Sequence, residues 1–189
     1  MGRRRRLTNV QQGFEELDDL ELRLKENNLE LIDTEGDGNC LFRSLSIQLE
    51  IDFEELRRVL VDYIIEHKDE FEGFTENLDR YCGNMRKDGV YGGNLELFAC
   101  AKKYNLIILV HQLHHPIIVI QDDSPIGIVH IAYVSWQHYS GIKVNKAKCN
   151  ADYCNMIGNC ASKRMHRLNG IKGIHKAVEH FLHLNRAKI

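Results

Sequence analysis

The sequence has 189 residues, 43% of them hydrophobic, which suffices for one well-buried domain and a small appendage. No apolar run is long enough to span a membrane and no signal-peptide pattern follows Met1, so a membrane partner is excluded and an intracellular protein is expected. The formal net charge is −2, but residues 1–140 hold 15 Lys and Arg against 25 Asp and Glu, whereas residues 141–189 hold 10 against 2. This asymmetry predicts a boundary near residue 142 between an acidic body and a basic segment.

The chain begins with a basic stretch, residues 1–13, that contains four consecutive arginines. We interpret it as a flexible tail rather than a nuclear-import or nucleic-acid patch, so we expect no nucleic-acid partner and a cytoplasmic location, with the nucleus as the alternative. Phe14, Leu17, Leu20 and Leu24 then recur at helical spacing, and residues 29–32 read as a short strand.

Residues 36–43, Gly-Asp-Gly-Asn-Cys-Leu-Phe-Arg, form the most informative stretch of the chain. The two glycines permit left-handed backbone and the close approach of another segment. Asn39 is a good N-cap residue, so Cys40 is expected in the first turn of a helix. There the free N–H groups and the helix dipole favour the nucleophilic thiolate, and the same N–H groups can bind an oxyanion. The alternative is a buried structural cysteine, which is what most cysteines are.

Helices and strands alternate after this stretch. Leu78, Tyr81, Cys82 and Met85 indicate a helix within residues 71–90. The other predicted helices are residues 53–67, capped by Asp52, and residues 94–104, capped by Asn94. The predicted strands are residues 106–111, 116–121 and 128–134. The first and last strands are apolar enough to be covered on both faces, so we expect an α/β (α+β) fold with helices flanking a small mixed sheet.

A nucleophilic cysteine needs a base, and the ten histidines offer several candidates. His138 follows a predicted strand within Trp-Gln-His-Tyr, a place where a rigid sheet commonly holds catalytic groups. His130 is interpreted as a core or rim residue of that strand, and the histidines at 111, 114 and 115 as part of a solvated loop. Six cysteines without a regular framework predict no disulfides and a reducing compartment.

Three blocks of the chain resemble the ovarian-tumour (OTU) family of cysteine deubiquitinases. They are residues 36–43, the Gly-Gly-Asn-Leu-Glu-Leu run at 92–97, and the strand at 130–133 that leads to the histidine motif at 136–139. The blocks follow one another in the family's order over about residues 28–142. The resemblance implies a papain-like cysteine protease fold over residues 14–142, with His138 within reach of Cys40.

The resemblance also implies a mechanism and a set of site residues. Cys40 would attack the isopeptide carbonyl at the C-terminus of ubiquitin, His138 would act as base and then acid, and water would hydrolyse the thioester. The family motif assigns a catalytic role to Asp37, and Gly38 and Asn39 support the loop that binds the oxyanion. No cofactor or metal is required. The expected partners are ubiquitin, polyubiquitin chains and ubiquitinated proteins, and the protein is expected to be a monomer.

One position departs from the family pattern. Many members place Asp or Asn two residues after the histidine, whereas this chain has Ser140, whose hydroxyl carries no charge to stabilise an imidazolium. Either Asp37 is the third catalytic member or activity is modest. The alternative function is therefore a catalytically weak or inactive ubiquitin-binding module.

Residues 143–189 are predicted to form a small basic helical segment. Its last two helical stretches resemble part of a ubiquitin-associated (UBA) domain, which would bind ubiquitin. Three cysteines and a histidine in this segment offer zinc ligation as a second interpretation, although their spacing fits the usual Cys pairing only in part.

Overall fold

The computed structural model describes residues 9–113, 115–121, 124–134 and 137–144, with side chains from Leu17 onward. The helices are α1 (Asn9–Glu26), α2 (Cys40–Leu49), α3 (Phe53–Glu66), α4 (Lys68–Phe71), α5 (Leu78–Met85) and α6 (Asn94–Tyr104), with a 3-10 turn at Glu72–Phe74. The strands are β1 (Leu29–Ile32), β2 (Leu106–His111), β3 (Ile118–Gln121), β4 (Gly127–Val134) and β5 (His138–Val144).

The five strands form one sheet in the order β1-β5-β4-β2-β3. β2 and β4 are parallel and the other neighbours are antiparallel, which confirms the predicted small mixed sheet. The sequence analysis missed β5 because Ser140, Gly141 and Lys143 dilute its apolar pattern. Its place between β1 and β4 supplies the hydrogen-bond partners that make it a strand.

Helices cover both faces of the sheet, as predicted. On one face, Leu20 and Leu24 of α1 pack with Leu29, Ala132 and Ile142. The opposite face carries the larger core, to which α2, α3, α5 and α6 all contribute. Successive side chains of β2 pack into the apolar clusters on opposite faces of the sheet. The whole strand is therefore buried, and its sequence is a continuous apolar run.

α2 packs directly on β5, and this contact places the cysteine. A Cβ on Gly141 would lie 2.1 Å from Cδ1 of Ile47, so the end of the Ile47 side chain packs directly on the glycine. One residue further on, Gln48 donates to the carbonyl oxygens of His130 and Ile142 and joins β4 to β5. Cys40 lies seven residues before Ile47, about 10 Å along the helix axis, towards the start of β5.

Local sequence signals account for several helix ends and fail at others. The Asp52 side chain accepts the N–H groups of Glu54 and Glu55, which confirms the predicted cap of α3. The cap of α6 is Gly93 rather than Asn94, because the Glu96 carboxylate accepts the Gly93 N–H at 2.7 Å. α1 begins at Asn9, so residues 9–13 of the expected flexible tail are helical, and β5 continues two residues past the boundary expected at 142.

Among the described helices, none is both long and apolar enough to cross a bilayer. Residues 145–189 lie outside the part of the chain that the structure describes, so the UBA-like and zinc interpretations of that segment remain predictions.

Candidate active site

Cys40 is the first residue of α2, as the sequence predicts, and it is 1% exposed. The described cysteines Cys40, Cys82 and Cys100 are all buried free thiols. Burial raises the pKa of Cys82, and it raises the pKa of Cys100 to about 12, so both are held as inert thiols. Of these three, only Cys40 lies at a helix N-terminus, where the first backbone N–H groups have no acceptor within the helix.

Asn39 stands at the N-cap position, but the prediction that its side chain caps the helix is wrong. Its amide nitrogen donates to Asp37 Oδ2 and Asp88 Oδ1, both at 3.0 Å. Its amide oxygen accepts from Arg57 Nη2 at 2.6 Å and from the Gly89 N–H at 3.3 Å. The buried Asn39 side chain therefore joins the cysteine loop to residues 88–89 and leaves the first N–H groups of α2 without a side-chain cap.

Gly38 has a φ of +86°, and a Cβ there would lie 1.9 Å from the Gly89 carbonyl oxygen. Gly38 thus permits a close backbone approach, and the segment that approaches it is the connection between α5 and α6. Gly36, by contrast, has no left-handed φ and open space around it. The glycine requirement of the motif therefore lies at position 38.

Asp37 binds the loop around the cysteine. Its carboxylate accepts the Asn39 backbone N–H at 2.9 Å and pairs with Arg43 Nη2 at 2.7 Å. The Arg43 guanidinium, followed by the side chain and backbone N–H of Asn39, holds the pKa of Asp37 well below its usual range. Asp37 is therefore held in its charged form and fixes the turn before Cys40, and no hydrogen bond joins it to His138 among the residues described.

Arg57, which the sequence analysis did not identify, binds the same loop from the protein interior. It is 4% exposed, donates to the Gly38 and Met85 carbonyl oxygens, and lies 4.0 Å from the centroid of the Phe42 ring. A buried guanidinium with several acceptors is costly to leave unpaired, so the loop is held in one arrangement. No local pattern identifies this role, because the hydrogen-bond partners of Arg57 lie 18 or more residues away.

His138 is the first residue of β5 and is about a quarter exposed, with a side-chain value of 23%. Its Nε2 lies 3.2 Å from Thr34 Oγ1 and 3.8 Å from Asp33 Oδ1. The next residue, Tyr139, lies close enough to Cys40 for the two groups to interact electrostatically. Burial, followed by the nearby Tyr133 and Cys40, raises the pKa of Tyr139 to about 12. The structure thus brings His138 and Cys40 to the same end of the α2–β5 contact, without a direct hydrogen bond in the described part of the chain.

Ser140 lies two residues further along β5, where it pairs with Ala132 of β4 and is 2% exposed. Within the described ranges, no hydrogen bond joins Ser140 to His138. The Nε2 partners of the histidine come instead from Asp33 and Thr34, which the sequence analysis did not identify. The antiparallel pairing of β1 with β5 brings these two residues beside the histidine.

Two other histidines in the described part of the chain, His111 and His130, lie together in the core. His111 was expected in a solvated loop, but it is the last residue of β2 and 4% exposed, so that prediction is wrong. Its Nε2 lies 3.0 Å from Nδ1 of His130, which is buried as expected. Burial lowers the pKa of both rings, that of His130 to about 4, so the pair is neutral near pH 7. Among the described residues there is no cluster of potential metal ligands.

The family model for OTU-like cysteine proteases matches residues 35–149, which is more than half of the chain and includes both Cys40 and His138. The chain belongs to the OTU family. This OTU domain is 34% identical over 123 residues to OTU domain-containing protein 3 of Mus musculus, covering 61% of this chain and 31% of that protein. It is 31% identical over 129 residues to ovarian tumor domain-containing deubiquitinating enzyme 7 of Arabidopsis thaliana, covering 64% and 34%. The alignments with these curated relatives thus cover about a third of their length.

Solved structures agree on the fold. The OTU domain of OTUD1 matches with a TM-score of 0.64 at 24% identity, covering 72% of this chain and 99% of that domain. An OTU domain solved in complex with ubiquitin matches with a TM-score of 0.55 at 15% identity, covering 79% and 84%. The predicted OTU-type fold is therefore confirmed.

Replacing Asp37 with Ala is expected to lower kcat by about 10²-fold, because the turn before Cys40 loses its Asn39 and Arg43 contacts and small displacements of reacting groups are costly. Glu35→Gln is the matched control, since Glu35 also pairs with Arg43, at 3.0 Å, but is exposed. Steady-state hydrolysis of both variants measures the difference. Equal kcat for the two variants would contradict a role for Asp37 in the loop.

Proposed function

We propose that this chain is a deubiquitinase that hydrolyses isopeptide bonds at the C-terminus of ubiquitin by thiol acyl transfer. The observation that supports the proposal is the position of Cys40 at the uncapped start of α2 and of His138 at the start of β5, the strand on which α2 packs. Relatives named as deubiquitinating enzymes support the substrate class, as do related OTU domains solved with bound ubiquitin.

In the proposed reaction, the Cys40 proton moves to the imidazole of His138 and the thiolate attacks the carbonyl of the last ubiquitin residue. The developing oxyanion is met by the backbone N–H groups at the start of α2, which the Asn39 side chain leaves uncapped. His138 then protonates the departing lysine amine. Water hydrolyses the thioester by the same proton transfers in the opposite direction.

The hydrogen bonds that hold the loop before Cys40 have a positional role in this scheme. Asp37 and Arg57 act on the backbone around Cys40, so we assign them to positioning the oxyanion donors rather than to proton transfer. Cys40 is buried in this state, so neighbouring groups must shift before a substrate carbonyl reaches its sulfur. Binding energy from ubiquitin contacts far from the scissile bond is the natural source for that shift.

The chemistry needs a reduced thiol and no cofactor, which is consistent with the intracellular location that we propose. Ubiquitin, polyubiquitin chains and ubiquitinated proteins are the proposed partners. The second candidate, a catalytically weak ubiquitin-binding module, has Ser140 in its favour, because that residue places no charge beside His138.

The test combines a thiol-reactive ubiquitin probe with a panel of differently linked di-ubiquitins. We expect one covalent adduct, mapped by mass spectrometry to Cys40 among the six cysteines, and cleavage of at least one linkage. Saturable ubiquitin binding with neither adduct nor cleavage would establish the binding module instead. An adduct on Cys82 or Cys100 alone would refute the assignment of the nucleophile.

A further inference from the structure

The segment that leaves β1 runs beside His138. β1 and β5 are antiparallel, and the last pair of their register is Ile32 with Gly141. Continuing that register by two residues brings Thr34 opposite Tyr139, and the Thr34 hydroxyl donates to the Tyr139 carbonyl oxygen at 2.5 Å. Thr34 is therefore held by a backbone contact next to the histidine ring, although 104 residues separate the two in sequence.

The hydroxyl of Thr34 has a single proton, and it donates that proton in its hydrogen bond to the Tyr139 carbonyl oxygen. Towards His138 Nε2, 3.2 Å away, Thr34 Oγ1 can therefore only accept a hydrogen bond. The second neighbour of Nε2 is the Asp33 carboxylate, which is also an acceptor and which the Thr34 N–H orients at 3.0 Å. An accepting hydroxyl oxygen at 3.2 Å and a carboxylate oxygen at 3.8 Å favour the tautomer that carries the ring proton on Nε2.

We propose that Thr34, assisted by Asp33, is the positioning group for His138 and takes the place of the Asp or Asn that this chain lacks at position 140. The pair holds the neutral ring with its proton on Nε2. Nδ1 is then the free lone pair that accepts the Cys40 proton, giving a thiolate and an imidazolium whose Nε2–H still points to Thr34. The catalytic part of this inference rests on the proposed function.

The two residues do not contribute equally. Thr34 is partly buried and tied to the backbone, so its contact does not depend on salt. The Asp33 side chain is 96% exposed and 3.8 Å from Nε2, so water and ions screen its attraction to an imidazolium. The hydroxyl fixes the orientation of the ring, and the carboxylate adds a smaller, salt-sensitive stabilisation of the charged state.

The experiment measures the tautomer of His138 in the full chain, independently of catalysis. Long-range ¹H–¹⁵N spectra of ¹⁵N-histidine protein distinguish Nε2–H from Nδ1–H rings, and a His138→Gln sample assigns the signal among the ten histidines. We expect the Nε2–H tautomer in the parent and in Thr34→Ser, and a mixture of tautomers in Thr34→Val. An Nδ1–H ring in the parent, or an unchanged Nε2–H ring in Thr34→Val, would overturn the proposal.

Kinetics on a ubiquitin substrate supply the second measurement. Thr34→Val is expected to lower kcat about tenfold or more with little change in KM, and Thr34→Ser to restore it, whereas Asp33→Asn gives a smaller loss that shrinks in added salt. Thr75→Val and the exposed Asp19→Asn are matched controls outside the site. Wild-type kcat in Thr34→Val would count against the proposal. If the tautomer responds as expected but the parent hydrolyses no ubiquitin bond, the proposed function fails and the positioning role stands.

Discussion

Cys40→Ala is expected to lower hydrolysis of a ubiquitin substrate by about 10⁴-fold or more, to the background rate, because the variant has no atom that can form the thioester. The fold should survive, since the substitution removes one sulfur atom and the hydrogen bond from Ser44 goes to the Cys40 backbone carbonyl. Turnover measures the loss of catalysis, and the melting temperature and the Kd for ubiquitin show whether the fold and ubiquitin binding are retained.

The matched controls for this variant are Cys82→Ala and Cys100→Ala. Both residues are buried free thiols like Cys40, but neither lies at the start of a helix. They are expected to keep parental kcat with a modest loss of stability from the small cavities created. Turnover by Cys40→Ala equal to that of these controls would show that the nucleophile lies elsewhere.

Gly38→Ala is expected to reduce both stability and kcat. The left-handed φ of +86° is costly for any residue with a Cβ, and the new methyl group would lie 1.9 Å from the Gly89 carbonyl oxygen. We expect a loss of about 1–3 kcal/mol in the free energy of unfolding, from backbone strain. A drop of about 10²-fold in kcat should accompany it, because the segment that carries Gly89 must move away from the cysteine loop.

Gly36→Ala is the matched control, because it shows whether the motif tolerates a glycine-to-alanine change at a position without close contacts. Gly36 has no left-handed φ and nothing within 4 Å of a Cβ, and it lies outside the hydrogen-bond network of the loop. Its unfolding curve in denaturant and its kcat should stay close to those of the parent. If Gly38→Ala behaved in the same way, the contact between the two loops would not be needed to shape the site.

The amino-acid sequence by itself determined the elements whose signals are local. Apolar residues at helical spacing predicted α1 and α5, the Asp52 cap marked the start of α3, and the apolar run of β2 predicted a strand buried on both faces. The position of Cys40 at the start of a helix followed from the turn residues directly before it. Each of these features depends on residues within about one helical turn, so a single sequence contains the information.

Only the tertiary structure decided how the site is built around Cys40. β5 has a weak strand pattern and exists because β1 and β4 complete its hydrogen bonds, and that pairing brings Thr34 to His138 across 104 residues. The Asn39 amide has partners 18, 49 and 50 residues away, besides the nearby Asp37, and does not cap its own helix. Such contacts depend on which segments the packed core brings together, and no local pattern of residues encodes that choice.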